Sequence, residues 1–306
     1  MSVRLRLATR GSDLALVQTR EVAAGLRASW PDLAVEEEII RTQGDNNLEA
    51  DLATIGALDK GLFTKELEQA LRQGAADAAV HSLKDLPVVL PPGLVLGAVL
   101  PRAATEDVLV AHQPGGWEAL PAGARVGTSS PRRQAMLRAR RGDVQPVMIR
   151  GNVPTRLGKL ADGGFEAIIV AAAGLHRLGW VTDGPIEAGG VVLHAVPLRD
   201  FLPAPGQGAI AVEIRADDEV ARDLLAPLHD AMTDRCVRAE RAVLGALGGG
   251  CHMALGTRAW MEGGLLHLEA VVFDDPGATP KHAAASGDPD DPESVGRAAA
   301  EKLHGD

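Results

Sequence analysis

The chain has 306 residues, 46% hydrophobic and 24% charged, with a formal net charge of −10. This is the composition of a globular protein with room for two or three domains, and it excludes disordered and collagen-like chains. No apolar run approaches the ~18 residues of a membrane span, and two cysteines in such a length exclude a disulfide framework.

The N-terminus, MSVRLRLATR, alternates charged and apolar residues and lacks the continuous apolar block of a signal peptide, so a cytoplasmic, reducing location is expected. Residues 3–8 read as a strand by that alternation. Thr9-Arg10-Gly11-Ser12 then reads as a loop, with Ser12 as the candidate N-cap of a helix running to Ser29 through Leu14, Val17, Val22 and Leu26. VEEEIIRT (35–42) is a second strand, Gly61 to Gln73 a helix ended by Gly74, and DAAVH (77–81) a short buried strand. Linkers are expected at 99–107 and 198–205.

Farther on, VPTRLGKLADGG (153–164) reads as a helix with a glycine stop and EAIIVAA (166–172) as a buried strand. ALRQGAADAAVHSLKDLP and KLADGGFEAIIVAAAGLHRLG echo each other: helix, glycine, acid, small-apolar strand, polar loop. Alternation of this kind predicts α/β domains with mainly parallel sheets, whose ligands sit beyond the carboxyl ends of the strands. From Asp217 onward the pattern changes. A helix, a glycine-rich loop around Cys251, the strand LLHLEAVVF (265–273), the turn GDPDDPES and a final helix read as a small α+β domain.

Four segments carry chemistry. From Arg125 to Lys159 the chain is rich in arginine and holds a single acid, Asp143. In an acidic protein this marks either a specific anion site or a solvated helix face. Nucleic acid is disfavoured, because no aromatic residue interleaves with this segment. Within it, GTSSPRRQ opens a helix at Pro131 with Thr128, Ser130, Arg132 and Arg133 at its start, and RGNVPTR repeats the theme with Arg150 and Arg156. Arginine's planar fork suits carboxylates and phosphates equally. In AVHSLKDLP, Ser82, Lys84 and Asp85 cluster at a strand end, as in a binding crevice or a surface turn. The two cysteines differ. Cys236 shares a helix face with Met232, Ala239 and Val243 and reads as a buried small hydrophobe. Cys251 follows three glycines and precedes His252, a setting for a reactive thiol as much as for a structural one. Metal-ligand spacing is absent, as are a phosphate-binding GxxxxGK loop and a true dinucleotide fingerprint, since GQGAIA leads into a strand.

Taken together, LATRGSDLAL, KGLFTKELE, AVHSLKDLP, GTSSPRRQ, RGNVPTRL, AAAGLHRLG, PGQGAIAVE, AERA and LGGGCHMALG resemble the porphobilinogen deaminase (hydroxymethylbilane synthase) family, in family order over roughly residues 5–256. The resemblance implies a transferase of porphyrin biosynthesis. It would join four porphobilinogen molecules head to tail, with loss of ammonia, on a dipyrromethane cofactor, and then hydrolyse off the linear tetrapyrrole hydroxymethylbilane. It implies a covalent thioether between dipyrromethane and Cys251, and a catalytic role for Asp85. Arg10, Ser12, Ser82, Lys84, Thr128, Ser130, Arg132, Arg133, Arg150, Arg156 and Arg177 are the implied holders of cofactor and substrate carboxylates, with Lys60 and Lys65 flanking the cleft.

The implied fold is α/β in three domains, the first two resembling periplasmic-binding-protein lobes, with mixed, mainly parallel sheets and helices on both faces, and the third a small α+β domain. The expected spans are 1–99 with 198–216, then 104–197, and then 217–306. The small-molecule substrate is the only partner this reading implies. Nucleic acid, a membrane and a metal are not called for, and nothing demands more than a monomer. Two departures stand out: His252, Met253 and Ala254 replace the family's usual residues after the cysteine, and IGALDKGLF carries about two extra residues near Lys60. Rival readings are a non-catalytic anion-binding protein, which leaves the glycine-flanked thiol unexplained, and an RNA-binding module, which explains only the arginines.

Overall fold

The structure is a computed structural model that describes residues 4–42, 64–249, 253–275 and 277–305. In chain order the first half carries β1 (Arg4–Arg10), α1 (Asp13–Ser29), β2 (Ala34–Ile40), α2 (Lys65–Arg72), β3 (Ala78–Ser82), β4 (Leu94–Val99), β5 (Asp107–Ala111), β6 (Arg125–Gly127), α3 (Pro131–Arg140) and β7 (Gln145–Val147). The second half carries α4 (Val153–Ala161), β8 (Ala167–Ala171), α5 (Ala172–Arg177), β9 (Gly184–Ala188), β10 (Val191–Leu198), β11 (Ile210–Arg215), α6 (Glu219–Leu225), α7 (Ala231–Ala246), β12 (Ala254–Glu262), β13 (Leu265–Phe273), β14 (Lys281–Gly287) and α8 (Pro292–His304).

The chain divides into two compact units. One comprises 1–103 with 209–237, the other 104–208 with 238–306. In the first, the sheet order is β2-β1-β3-β11-β4. Alternation in β1 buries Leu5 and Leu7, and α1 lays Val22, Ala23 and Leu26 into the same core with Val80, Ile210 and Val212. Ser12 caps α1 as its sequence predicts, its Oγ accepting from the Ala15 N–H at 3.4 Å. α2 begins at Lys65 and ends before Gly74, and the expected helical residues 61–63, together with Lys60, lie outside the described residues.

In the second unit, one sheet runs β7-β6-β8-β5-β10-β9. Both large sheets are mixed. In each, three neighbouring strands are parallel, and the strands beyond them are antiparallel. The mixed sheets implied by the resemblance are present, and the parallel character expected from helix–strand alternation is confined to three strands in each. β11 and β5 run against their neighbours, and β9–β10 is a hairpin. Neither arrangement comes from the helical crossover that makes strands parallel. The helix–strand echo in the sequence thus falls on the third strand of each sheet, β3 and β8, and the two sheets share the same pattern of strand directions over five strands, although the fourth strand enters last in one (β11) and first in the other (β5). The polar loop at the end of each echo is itself helical: a 3-10 turn at Leu83–Asp85 in one case and α5 in the other.

The second unit also holds a three-stranded antiparallel sheet, β12-β13-β14. A two-residue turn closes β12 onto β13, with Gly263 and Gly264 at φ +58 and +80, the backbone such a tight hairpin needs. Val271 and Phe273 of this sheet share a core with Met136 and Leu137 of α3 and with Trp117. Residues 198–205, expected as a linker, belong to that core. Phe201 is buried against Trp117, and the Thr257 N–H donates to the Pro203 carbonyl at 2.8 Å. Cys236 is buried in α7, as its helix face requires. Among the described residues no helix is long and apolar enough to cross a membrane.

Candidate active site

In open α/β sheets, ligands gather beyond the carboxyl ends of neighbouring parallel strands. In the first unit those ends belong to β1 and β3, which pair in parallel through Leu7–Ala78 and Ala8–Ala79. β1 delivers half-buried Arg10 and Ser12, and β3 delivers half-buried Ser82 and Lys84 and exposed Asp85. The turn that carries Asp85 is firmly seated. Leu83 is fully buried, its N–H donates to the Ala209 carbonyl at 3.0 Å, and the Leu86 N–H closes the turn onto Leu83 at 3.1 Å. A buried leucine followed by a solvent-facing carboxylate fixes where the charge stands. Ser82 is held from behind by Gln18, whose Nε2 donates to its Oγ at 2.9 Å. Gln18 is only 4% exposed. Sequence reading did not select it. Its one signal is a polar residue on the helix face that carries Val22 and Leu26.

In the second unit the parallel strands β7, β6 and β8 lie side by side, so their carboxyl ends share one edge. β6 leads through Thr128 and Ser130 into α3. Ser130 is the N-cap, its Oγ accepting from the Arg133 N–H, and Pro131 opens the helix as predicted. β7 leads to Arg150 and, through Gly151 at φ +113, into α4, which carries Arg156. A Cβ on Gly151 would stand 2.6 Å from the Thr155 side chain, so only glycine fits there. The Arg156 Nε donates to the Gly151 carbonyl at 2.7 Å. β8 leads into α5, where Arg177 Nη2 donates to the Gly208 carbonyl at 3.2 Å. The predicted residues of this unit therefore stand along one sheet edge.

Arg132 and Arg133 are buried, 3% and 6% exposed, and both face Asp107. Each places an Nη2 at 2.7 Å from an Asp107 oxygen, and Gln207 Nε2 adds a third contact at 2.9 Å. Burial alone would raise the Asp107 carboxyl. The attraction of Arg132 and Arg133, with hydrogen bonds from Arg133 and Gln207, outweighs it and holds the group well below the usual carboxylate range. Two guanidinium groups facing one carboxylate leave one positive charge over. The Nε atoms of Arg132 and Arg133 are buried and lack a partner among the described residues. Surplus buried positive charge beside a capped helix start suits a ligand bearing carboxylates. Asp107 and Gln207 escaped the sequence reading, because Asp107 ends a stretch read as a linker and Gln207 lies in GQGAIA, a stretch read for its glycines alone.

Cys251 lies outside the described residues, as does His252. Lys65 is exposed at the first turn of α2. Among the described residues no group of three or more His, Cys, Asp or Glu could hold a metal ion.

Comparison with known proteins bears on this edge-and-turn geometry. Residues 5–223 match the family model described as "Porphobilinogen deaminase, dipyromethane cofactor binding domain", and residues 235–305 match "Porphobilinogen deaminase, C-terminal domain". A porphobilinogen deaminase of Syntrophobacter fumaroxidans is 46% identical over 293 residues, covering 96% of this chain and 92% of its own. One from Xanthomonas campestris pv. campestris is 48% identical over 299 residues, covering 98% and 95%. One from Moorella thermoacetica is 46% identical over 301 residues, covering 98% and 93%. Among solved structures, the periplasmic VFT2 domain of Bordetella pertussis BvgS is 16% identical, covers 74% of this chain and 86% of its own, and has a TM-score of 0.41.

Proposed function

The chain belongs to the porphobilinogen deaminase family, and from that premise we propose how its own residues divide the work. The activity is that of a transferase. Porphobilinogen units are joined with loss of ammonia on a dipyrromethane cofactor, and the linear tetrapyrrole hydroxymethylbilane is released by hydrolysis. When bound, dipyrromethane supplies the free pyrrole α-carbon that serves as nucleophile.

Asp85 is the proposed catalytic residue. Loss of ammonia from porphobilinogen leaves a cationic methylene-pyrrole, and a fixed carboxylate beside that cation lowers the barrier by electrostatic preorganisation. The observation that carries this reading is the seating of the Asp85 turn. Leu83 is locked to Ala209, and the acid faces solvent at the carboxyl edge of β1 and β3 beside Arg10, Ser12, Ser82 and Lys84. These four residues orient substrate through its acetate and propionate.

In the second unit Thr128, Ser130, Arg132, Arg133, Arg150, Arg156 and Arg177 hold the carboxylates of the cofactor and of the substrate-derived chain. Each ionic hydrogen bond contributes about 1.5–3 kcal/mol before desolvation. The surplus charge at Asp107 supports that assignment. Cys251 is the proposed attachment point. We further read three functional domains, 1–99 with 198–216, 104–197 and 217–306, in a cytoplasmic monomer with no nucleic-acid or membrane partner.

The test is chemical. Acidic dimethylaminobenzaldehyde added to purified protein should develop a pyrrole colour that survives denaturation, and Cys251→Ser should abolish it. A colourless protein that still forms hydroxymethylbilane contradicts the proposal.

A further inference from the structure

One buried titratable pair takes no part in this scheme. His81 ends the apolar run of β3 one residue before Ser82, and Glu213 lies on β11. The ladder pairs His81 with Ala211 and Ala79 with Glu213, so the two side chains lie diagonally on one face of the sheet, opposite alanines that leave them room. His81 Nε2 stands 3.2 Å from Glu213 Oε2, with side chains 4% and 0% exposed. Neither Glu213 oxygen has a hydrogen-bond partner among the described residues, so the imidazole approaches the carboxylate off the axis of a full bond. A register shift between Val212 and Glu213, in the pairing of β11 with β4, falls at this same place. Such irregularities re-aim side chains and recur beside active sites.

A buried polar pair of this kind is weak evidence for stability, because the cost of desolvating the two groups offsets their attraction, and apolar residues of similar volume usually pack as well. What it does supply is a specific attachment between two strands. β11 provides the Ala209–Ile210 end to which Leu83 is bonded, and β3 runs directly into the Asp85 turn.

We propose that His81 and Glu213 are positioning residues: a buried imidazole–carboxylate couple that fixes the end of β3 against β11 and thereby aims the Asp85 turn. The inference rests on the reading of Asp85 as the catalytic group. Misplacement by about 1 Å costs on the order of 10²-fold in rate without loss of substrate binding.

The experiment compares the holoenzyme with His81→Leu/Glu213→Leu, Glu213→Gln and Asp85→Ala. Turnover, KM, thermal midpoint and intact mass are measured for each. The double variant should keep the thermal midpoint of the parent, carry the same added mass over its own polypeptide as the parent does, and hold KM within about twofold, with kcat reduced about tenfold or more. Glu213→Gln keeps a polar partner for His81 and should stay within about threefold of the parent in kcat. A folded double variant with parental kcat overturns the proposal, and so does a double variant that does not fold, since the couple would then serve stability. Loss in Glu213→Gln as deep as in Asp85→Ala also overturns it, because the pair would then belong to the chemistry. Parental turnover in Asp85→Ala sinks the catalytic reading itself, a result separate from those three.

Discussion

The turn after β3 and the turn after β6 each stand at the carboxyl end of a parallel strand in a mixed sheet, yet they present opposite charges. After β3 a one-turn 3-10 segment carries an acid at its exposed end, and Ser82 makes no cap. After β6 a ten-residue helix begins with a serine cap and a proline, and its first arginines are buried against Asp107. The difference teaches that the end of a parallel strand fixes where polar groups stand, while the length of the helix that follows decides what they can do. A short turn leaves its carboxylate free to face a developing cation. A full helix has a positive N-terminal end and suits anions.

The comparison can be broken in several ways. The largest effect is expected at the acidic turn: Asp85→Ala should lower turnover by about 10³-fold, and Asp85→Glu by less, in a steady-state assay of hydroxymethylbilane formation. Equal losses for the two would show that shape and not charge matters there. At the basic turn the first consequence should be structural. Asp107→Asn leaves two buried guanidinium groups without their counter-charge and should cost about 3–5 kcal/mol in denaturant unfolding.

Acid sharpens the same contrast. The Asp107 carboxyl is held below its ordinary range in the folded chain, so its contribution is complete above the unfolded value of about 4 and fades as pH falls through the lower folded value. The stability gap between the parent and Asp107→Asn should therefore be widest near neutrality and narrow in strong acid. A gap that widens with acid would mean the arginines do not govern this carboxylate. The smallest effect belongs to the cap: Ser130→Ala should cost about 1 kcal/mol, seen as a modest fall in the unfolding midpoint.

Local rules made much of the fold legible. Alternation found β1, Ser12 announced α1, and Pro131 marked the start of α3. The motif resemblance brought the site residues onto two sheet edges. What stayed hidden depends on contacts distant in sequence. Gln18 meets Ser82 across 64 positions, Gln207 meets Asp107 across 100, and Glu213 meets His81 only once β11 has paired with β3. Strand direction was hidden for the same reason. Alternating helix and strand predicts parallel neighbours, but β11 enters its sheet from a distant part of the chain and runs the other way. Phe201 sits among prolines and charges that resemble a linker, and only the packing of Trp117 reveals it as core.

The thiol at position 251 bears the heaviest demand of all. Intact-protein mass spectrometry of the parent and of Cys251→Ser tests it most directly. The parent should weigh more than its amino acids by one dipyrromethane unit, and the serine variant should weigh no more than its polypeptide and make no tetrapyrrole. A parent with no added mass, or a serine variant that still polymerises porphobilinogen at the parental rate, contradicts the account.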